Sequence, residues 1–242
     1  MCWSTGATAA MVGLGAVATA ASIWRGDKPV FSATIAYFTL MEGLQLYGYS
    51  VINQCGTPEN EAITFLSILH IVFQPLFINA FFLAFAAVAL RPSVKVATYL
   101  LCGLSSVVML MQLMPFSWAG VCEPGVILCG KVWCTITGDW HQAWTVPFNG
   151  MMNWLDEALG MRWGFPSYML VAFVLPILYG AWRLAIFHLI AGPGLAGLLT
   201  RNPNEIPAVW CLFSIAIVLA IMLPQLRSFF AWKPWPGLRA QG

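Results

Sequence analysis

The sequence predicts an all-α integral membrane protein. It should be a bundle of six transmembrane helices, or seven if 191–205 dips into the bilayer, with a Trp-rich extramembrane cap between the fourth and fifth. Three observations carry this expectation. Charged residues are 8% and hydrophobic residues 60% of the 242 residues, against about 25% charged in an ordinary soluble domain. Six apolar stretches come near the ~20 residues that a helix needs to cross a hydrocarbon core. No period-2 alternation marks barrel strands, so no sheet beyond a small hairpin in the cap is expected. The whole chain, 1–242, reads as one transmembrane domain whose first partner is the lipid bilayer. A net charge of +2 without a basic cluster gives no nucleic-acid surface.

The first helix is expected at 5–24. The start MCWSTGATAAM has no basic n-region and no clear cleavage site, so it reads as a retained helix, not a signal peptide. Cys2 then has no signal segment before it and is not a lipoprotein cysteine. Ala9, Gly13 and Val17, with Gly6 and Ala10, offer a close-packing face. The second helix, 30–53, is VFSATIAYFTLMEGLQLYGYSVIN and carries Glu42 near its centre. The third, 62–90, contains Pro75 directly after Gln74; the missing N–H and the ring clash predict a kink. The fourth is expected at 95–115.

The connection 116–165 holds six of the twelve tryptophans: Trp118, Trp133, Trp140, Trp144, Trp154 and Trp163. Tryptophan favours the headgroup layer, where its ring is apolar and its N–H finds a partner. Phe148 to Trp163 predicts a short interfacial helix with Asp156, Glu157 and Arg162 on the wet side. The fifth helix follows at 166–190, with Arg183 and His188 near the opposite face. Arg201-Asn-Pro-Asn-Glu205 reads as a loop before the last helix, 206–224.

Cysteine and charge bear on orientation. Cys2, Cys55, Cys122, Cys129 and Cys134 are the disulfide candidates, on an outer face where oxidation is possible. The C-x4-C spacing of Cys129 and Cys134 suggests a structural disulfide, with free thiols the alternative; a metal or redox pair ranks last because the second pair of a zinc site is missing. Cys102 and Cys211 fall inside helices and read as small apolar residues. With six spans and the N-terminus outside, Arg25, Lys28, Arg91, Lys95, Arg183 and Arg201 lie inside. Lys131, Arg162, Arg227, Lys233 and Arg239 lie outside. The short loops favour this orientation, the basic tail opposes it, and a seventh span near Gly192-Pro193-Gly194 would remove the conflict.

Glu42 selects the candidate site. An ionisable group at that depth is costly and normally faces a bundle interior with a partner. Counting inward from the turn 54–61, Gln45 and His70 reach one depth, and Glu42 and Gln74 the next. Thr39, Glu42, Gln45 and Tyr49 form one stripe; Ser67, His70 and Gln74 form another. Glu42 and His70 are the candidate catalytic acid and base. Gln45, Tyr49, Ser67, Gln74 and, from the cap, the pair Asp139 and His141 are candidate ligand contacts. The bland alternative is a polar cluster that only holds helices together. The three histidines form no H-x3-H or HExxH pair, so no metal is assigned, and no cofactor is implied. No Walker, Rossmann or GxSxG pattern occurs.

Met1-Cys2-Trp3-Ser4, YFTLMEGLQ at 37–45 and LHIVFQPLFIN at 69–79 resemble an uncharacterised family of multi-pass membrane proteins of bacteria that begin Met-Cys-Trp-Ser. The resemblance covers the first 80 residues. It implies a bacterial inner membrane and a Glu in the second span, and it implies no activity. Three functions stay open. One is a buried site for a small or lipidic ligand, enzymatic in its fullest form. The second is a proton or cation channel or transporter. The third is an accessory subunit of a membrane complex. The lack of an internal repeat counts against a dedicated transporter.

Overall fold

A computed structural model describes residues 4–240, with Ala220 and Ile221 described by backbone alone. Seven long or medium helical segments run to and fro between two ends of a bundle: α1 (Thr5–Trp24), α2 (Pro29–Ser50), α3 (Pro58–Ala84), α4 (Pro92–Gln112), then the cap. The cap contains strands β1 (Cys134–Thr137) and β2 (Gln142–Thr145) and the short helix α5 (Asn153–Ala158). After it come α6 (Pro166–Tyr179), α7 (Trp182–Leu199), α8 (Ile206–Met222) and the turned-aside α9 (Pro224–Phe230). Proline opens α2, α3, α4, α6 and α9, where its fixed φ suits the first turn and its missing N–H costs nothing. Ser4 and Thr57 cap α1 and α3 by accepting from Ala7 and Asn60 N–H groups.

Among the described residues, four helices are long and apolar enough to cross a membrane: α1, α3, α4 and α7. The number becomes five if the bent pair Ile206–Leu219 and Pro224–Phe230 is one span. The polar stripe of α2 keeps it outside that group, although its 22 residues reach about 33 Å. The helix α6 is shorter.

Several boundaries differ from expectation. The third helix begins at Pro58 and ends at Ala84; residues beyond it leave the helix to pair with the C-terminal tail, Ala86 with Trp232 and Leu90 with Arg239. The segment expected as one helix, 166–190, is broken at Gly180. There φ is +114° and a Cβ would lie 2.8 Å from the Lys233 carbonyl oxygen, so only glycine fits. The chain then turns back as α7. Gly192-Pro193-Gly194 is no re-entrant turn: it lies inside α7 as a π-helical stretch. On α1 the buried face is Thr8, Gly15 and Ser22, not Ala9, Gly13 and Val17. A Cβ on Gly15 would lie 2.1 Å from Thr39 Oγ1, so its absence sets the α1–α2 approach.

The tail lies at the end away from the cap. Asp27, just after α1, pairs with Arg25 at 2.9 Å and Arg227 at 3.6 Å. Trp232 Nε1 donates to the Phe82 carbonyl at 2.8 Å, and Arg183 reaches the Phe229 carbonyl.

The cap is built onto the α2–α3 turn. The hairpin pairs Cys134 with Thr145 through Thr137 with Gln142. Asn60 donates to the Val51 and Thr135 carbonyls at 2.7 and 3.0 Å and accepts from Thr135 N–H at 3.0 Å. Asn53 accepts from Thr137 N–H at 2.8 Å. Two cysteine pairs lie at disulfide distance, Cys55–Cys134 and Cys122–Cys129. The expected Cys129–Cys134 pairing is thereby overturned: β1 carries Cys134 to the α2–α3 turn, while Cys129 folds back on Cys122. Cys2 lies outside the described residues. Asp156 is also corrected. It is buried and accepts from Trp163 and Gly164 N–H groups at 3.2 and 2.9 Å. Burial raises its carboxyl above the usual range, against those two donors.

Candidate functional site

The polar residues of α2 meet two different sets of partners. At the cap end, the tip of the hairpin inserts His141, fully buried, against α2. The Tyr49 hydroxyl lies 2.6 Å from His141 Nδ1, and Gln45 Oε1 lies 2.5 Å from Nε2. Gln45 Nε2 donates to the Ala208 carbonyl of α8 at 3.2 Å. Since that amide oxygen can only accept, Nε2 carries the ring proton and Nδ1 accepts from Tyr49. Thr8 of α1 joins the chain through Tyr49. Burial pushes His141 down to about 3, so the ring is neutral near pH 7. Asp139 is exposed and contributes its backbone N–H, not its carboxylate, to the neighbouring contacts. The expected Asp139–His141 acid–base pair is therefore replaced by Tyr49–His141–Gln45.

What holds the hairpin tip is Glu205, read from the sequence only as a loop residue. Its fully buried carboxylate accepts from the backbone N–H groups of Asp139 and Trp140 at 2.9 and 2.7 Å, from that of His141, and from the Thr200 hydroxyl at 2.5 Å. Gly138 makes the approach possible, since a Cβ there would lie 2.5 Å from the Glu205 carboxyl carbon. Asn204 adds a second clasp, accepting from Leu128 N–H through its side chain and from Trp144 N–H through its carbonyl.

Deeper in the bundle, His70 and Gln74 of α3 form the second set. His70 Nε2 donates to the Tyr37 carbonyl at 2.8 Å while Tyr37 hydroxyl donates to the His70 carbonyl at 2.5 Å, with the two rings stacked at 3.9 Å. His70 thus stitches α2 to α3. Gln74 accepts from the Tyr168 hydroxyl of α6 at 2.8 Å and donates toward Cys211 Sγ of α8 at 3.4 Å. A cavity of about 30 Å³ adjoins Gln74, Tyr168 and Cys211 and reaches Trp163 and Leu128 of the cap. Ser67 bonds its own helix at Ile63. The helix α3 runs through Pro75, whose carbonyl accepts from Asn79.

Glu42 lies between the two sets. It is fully buried, and neither carboxyl oxygen has a hydrogen-bond partner among the described residues. Its carboxyl is near enough to Tyr49 and to Cys211 to interact electrostatically with both. Glu42 and His70, the candidate acid and base, share no hydrogen bond: both ring nitrogens of His70 face Tyr37 and Gln74. His70 packs level with Tyr37, about two turns along α2 from Gln45, so the equal depth expected of Gln45 and His70 is not kept. No group of three or more His, Cys, Asp or Glu suited to a metal ion occurs among the described residues.

Cys211, Tyr168 and Glu205 were missed for separate reasons. A cysteine in an apolar run looks like a small core residue, and Tyr168 carries no periodic signal. Glu205 stands where a helix N-terminus accounts for an acidic side chain.

The chain belongs to a family of unknown function (DUF5765), whose profile matches residues 6–231. No curated protein and no solved structure matches it.

Proposed function

We propose that this family member is a polytopic membrane protein in which Glu42 is the proton-exchanging group of a buried acid–base site for a small ligand. The single observation behind the reading is the Glu42 carboxyl, fully buried with both oxygens unpartnered. An adhesive residue would be partnered, because an unpaired buried carboxylate is expensive. Either a proton or the donor group of a ligand completes it. Gln74, Tyr168 and Cys211 line a small cavity of the same bundle, whose lining does not include Glu42 or His70. At about 30 Å³ that cavity suits one or two water-sized groups.

A second reading, a proton path, is favoured by the chain Thr8–Tyr49–His141–Gln45, which ends one helical turn from Glu42. Both readings make Glu42 the group that changes protonation. We further propose seven crossings of a bacterial inner membrane, with the N-terminus and cap outside. Eight of the eleven basic residues then fall on the inner side: Arg25, Lys28, Arg91, Lys95, Arg183, Arg227, Lys233 and Arg239. Only Lys131, Arg162 and Arg201 fall with the cap, as the positive-inside rule requires.

The test is pH-difference infrared spectroscopy in nanodiscs. The wild type should show the carbonyl stretch of a carboxyl group that changes protonation, and Glu42→Gln, which keeps shape and hydrogen bonding, should lose it. A band that survives the substitution unchanged, or no band in the wild type, overturns the reading.

A further inference from the structure

His188 of α7 is buried, 6% exposed, and its two ring nitrogens are in opposite situations. Nε2 lies 3.2 Å from Trp210 Nε1 of α8. An indole nitrogen only donates, so Nε2 must be the unprotonated acceptor and the proton of the neutral ring sits on Nδ1. That Nδ1–H is buried and has no partner among the described residues.

The local sequence fixes this state. Gly192 lies one turn along α7 in the π-helical stretch, and a Cβ there would be 2.5 Å from Trp210 Nε1. Glycine therefore admits the indole to the helix surface. Phe173 and Phe82 pack around the imidazole, with ring centroids 5.0 and 5.9 Å away. The Gly-Pro-Gly motif is in this light a seat for Trp210, and π-helical stretches often mark such sites.

His188 lines a cavity of about 20 Å³ between α2, α3, α7 and α8, shared with Thr34 and Ser214 and otherwise apolar. The Thr34 hydroxyl donates to the Val30 carbonyl at 2.8 Å, and the Ser214 hydroxyl to the Trp210 carbonyl at 3.0 Å. Each has spent its one hydrogen and keeps oxygen lone pairs for an occupant. The residues lining the cavity thus carry one unspent donor and two acceptor oxygens, and its volume is about that of one water.

We propose that this cavity is a specific site for a single water molecule, which accepts from His188 Nδ1–H and donates to Thr34 and Ser214. Water is the smallest molecule with that pattern, and the volume is about what one water needs. The site is separate from the Glu42 site and does not rest on the Glu42 reading, since Trp210 alone sets the tautomer. Thr34 lies eight residues before Glu42 on α2 and Ser214 three after Cys211 on α8. It therefore hydrates the same α2–α8 seam from the end away from the cap.

The experiment is solid-state NMR of the full chain in lipid bilayers with 15N-labelled histidine. With three histidines the spectrum is simple, and His188→Asn assigns the signal. We expect His188 as the Nδ1–H tautomer, opposite to His70 and His141, with polarisation transfer from water to that proton. In Thr34→Val/Ser214→Ala the tautomer should persist while the water transfer falls several-fold. Ser214→Ala alone, the milder change, should give a partial loss if the double variant does not fold. An Nε2–H tautomer at His188, or an Nδ1–H without water transfer in the wild type, overturns the proposal.

Discussion

Glu205 and His141 show how a single residue can position a site it does not enter. The Glu205 carboxylate satisfies three successive backbone donors of the hairpin tip, and those donors aim His141 at Gln45 and Tyr49. Glu205→Ala leaves several buried donors unpaired at about 1–3 kcal/mol each. A large fall in the thermal midpoint in detergent is expected, and Glu205→Gln should be milder because its amide oxygen still accepts. A midpoint within a degree or two of wild type for the alanine variant would contradict the clasp. His141 adds a pH signature. Burial holds it at about 3 against an ordinary 6.5, so between those values the unfolded chain binds a proton that the folded site refuses. Stability is therefore present above about pH 6.5 and is lost as pH falls through that window, by up to about 1.4 kcal/mol per pH unit. Asp156, whose carboxyl is raised, acts in the opposite sense, so the informative quantity is the difference between wild type and His141→Gln. The variant should lose less of its thermal midpoint between pH 7 and 5; an identical loss would show that His141 does not titrate there.

At the scale of elements, apolar run length was legible and chain reversal was not. The cores of the first four helices lie where hydrophobic stretches place them, because burial in lipid or protein selects the same residues. The break at Gly180 was hidden, since the apolar run continues across it; what ends α6 is a left-handed backbone pressed against the tail. Gly-Pro-Gly had the opposite effect. It reads as a breaker, yet α7 passes through it because a π-helical stretch accommodates Pro193. The same reasoning separates the legible part of the site from the rest. Helical spacing marked Glu42, Gln45, His70 and Gln74 as buried polar residues, whereas their relative depth, ring orientation and the approach of His141 depend on packing and on the cap, whose hairpin is fixed by distant asparagines. Gly192→Ala tests the element argument. A methyl pressed on the Trp210 indole should destabilise by about 1–3 kcal/mol and change Trp210 fluorescence, read as the difference from the same protein with Trp210→Phe. Gly197→Ala, with nothing within 4 Å of its Cβ, is the control. Equal effects of the two would remove Gly192 from the account of Trp210.

For the whole molecule, the helical count decides which side the tail occupies, and the tail decides the orientation. An even number of crossings puts Arg227, Lys233 and Arg239 beside the cap, and the basic residues then divide almost evenly. Seven passes put them opposite, together with Asp27, to which Arg227 is paired. The break at Gly180 is thus the local feature with the largest global consequence. Orientation in turn sets cysteine chemistry. With the cap outside, Cys55–Cys134 and Cys122–Cys129 form in an oxidising compartment, while Cys102 and Cys211 stay buried as thiols. The two bridges should contribute unequally. Cys55–Cys134 spans 79 residues and Cys122–Cys129 spans 7, so loop-closure entropy gives the first about 4–5 kcal/mol and the second about half that. Reduction before alkylation should raise the intact mass by four added alkyl groups, and peptide mapping should recover these two pairs. Cys55→Ala should lower the thermal midpoint more than Cys122→Ala. A membrane-impermeant thiol reagent applied to intact cells settles the orientation: a cysteine introduced at exposed Val132 should react from outside, and one at exposed Gln225, just before Arg227, only after lysis. Labelling of Gln225→Cys in intact cells would return the tail to the cap side and overturn the seven-pass topology.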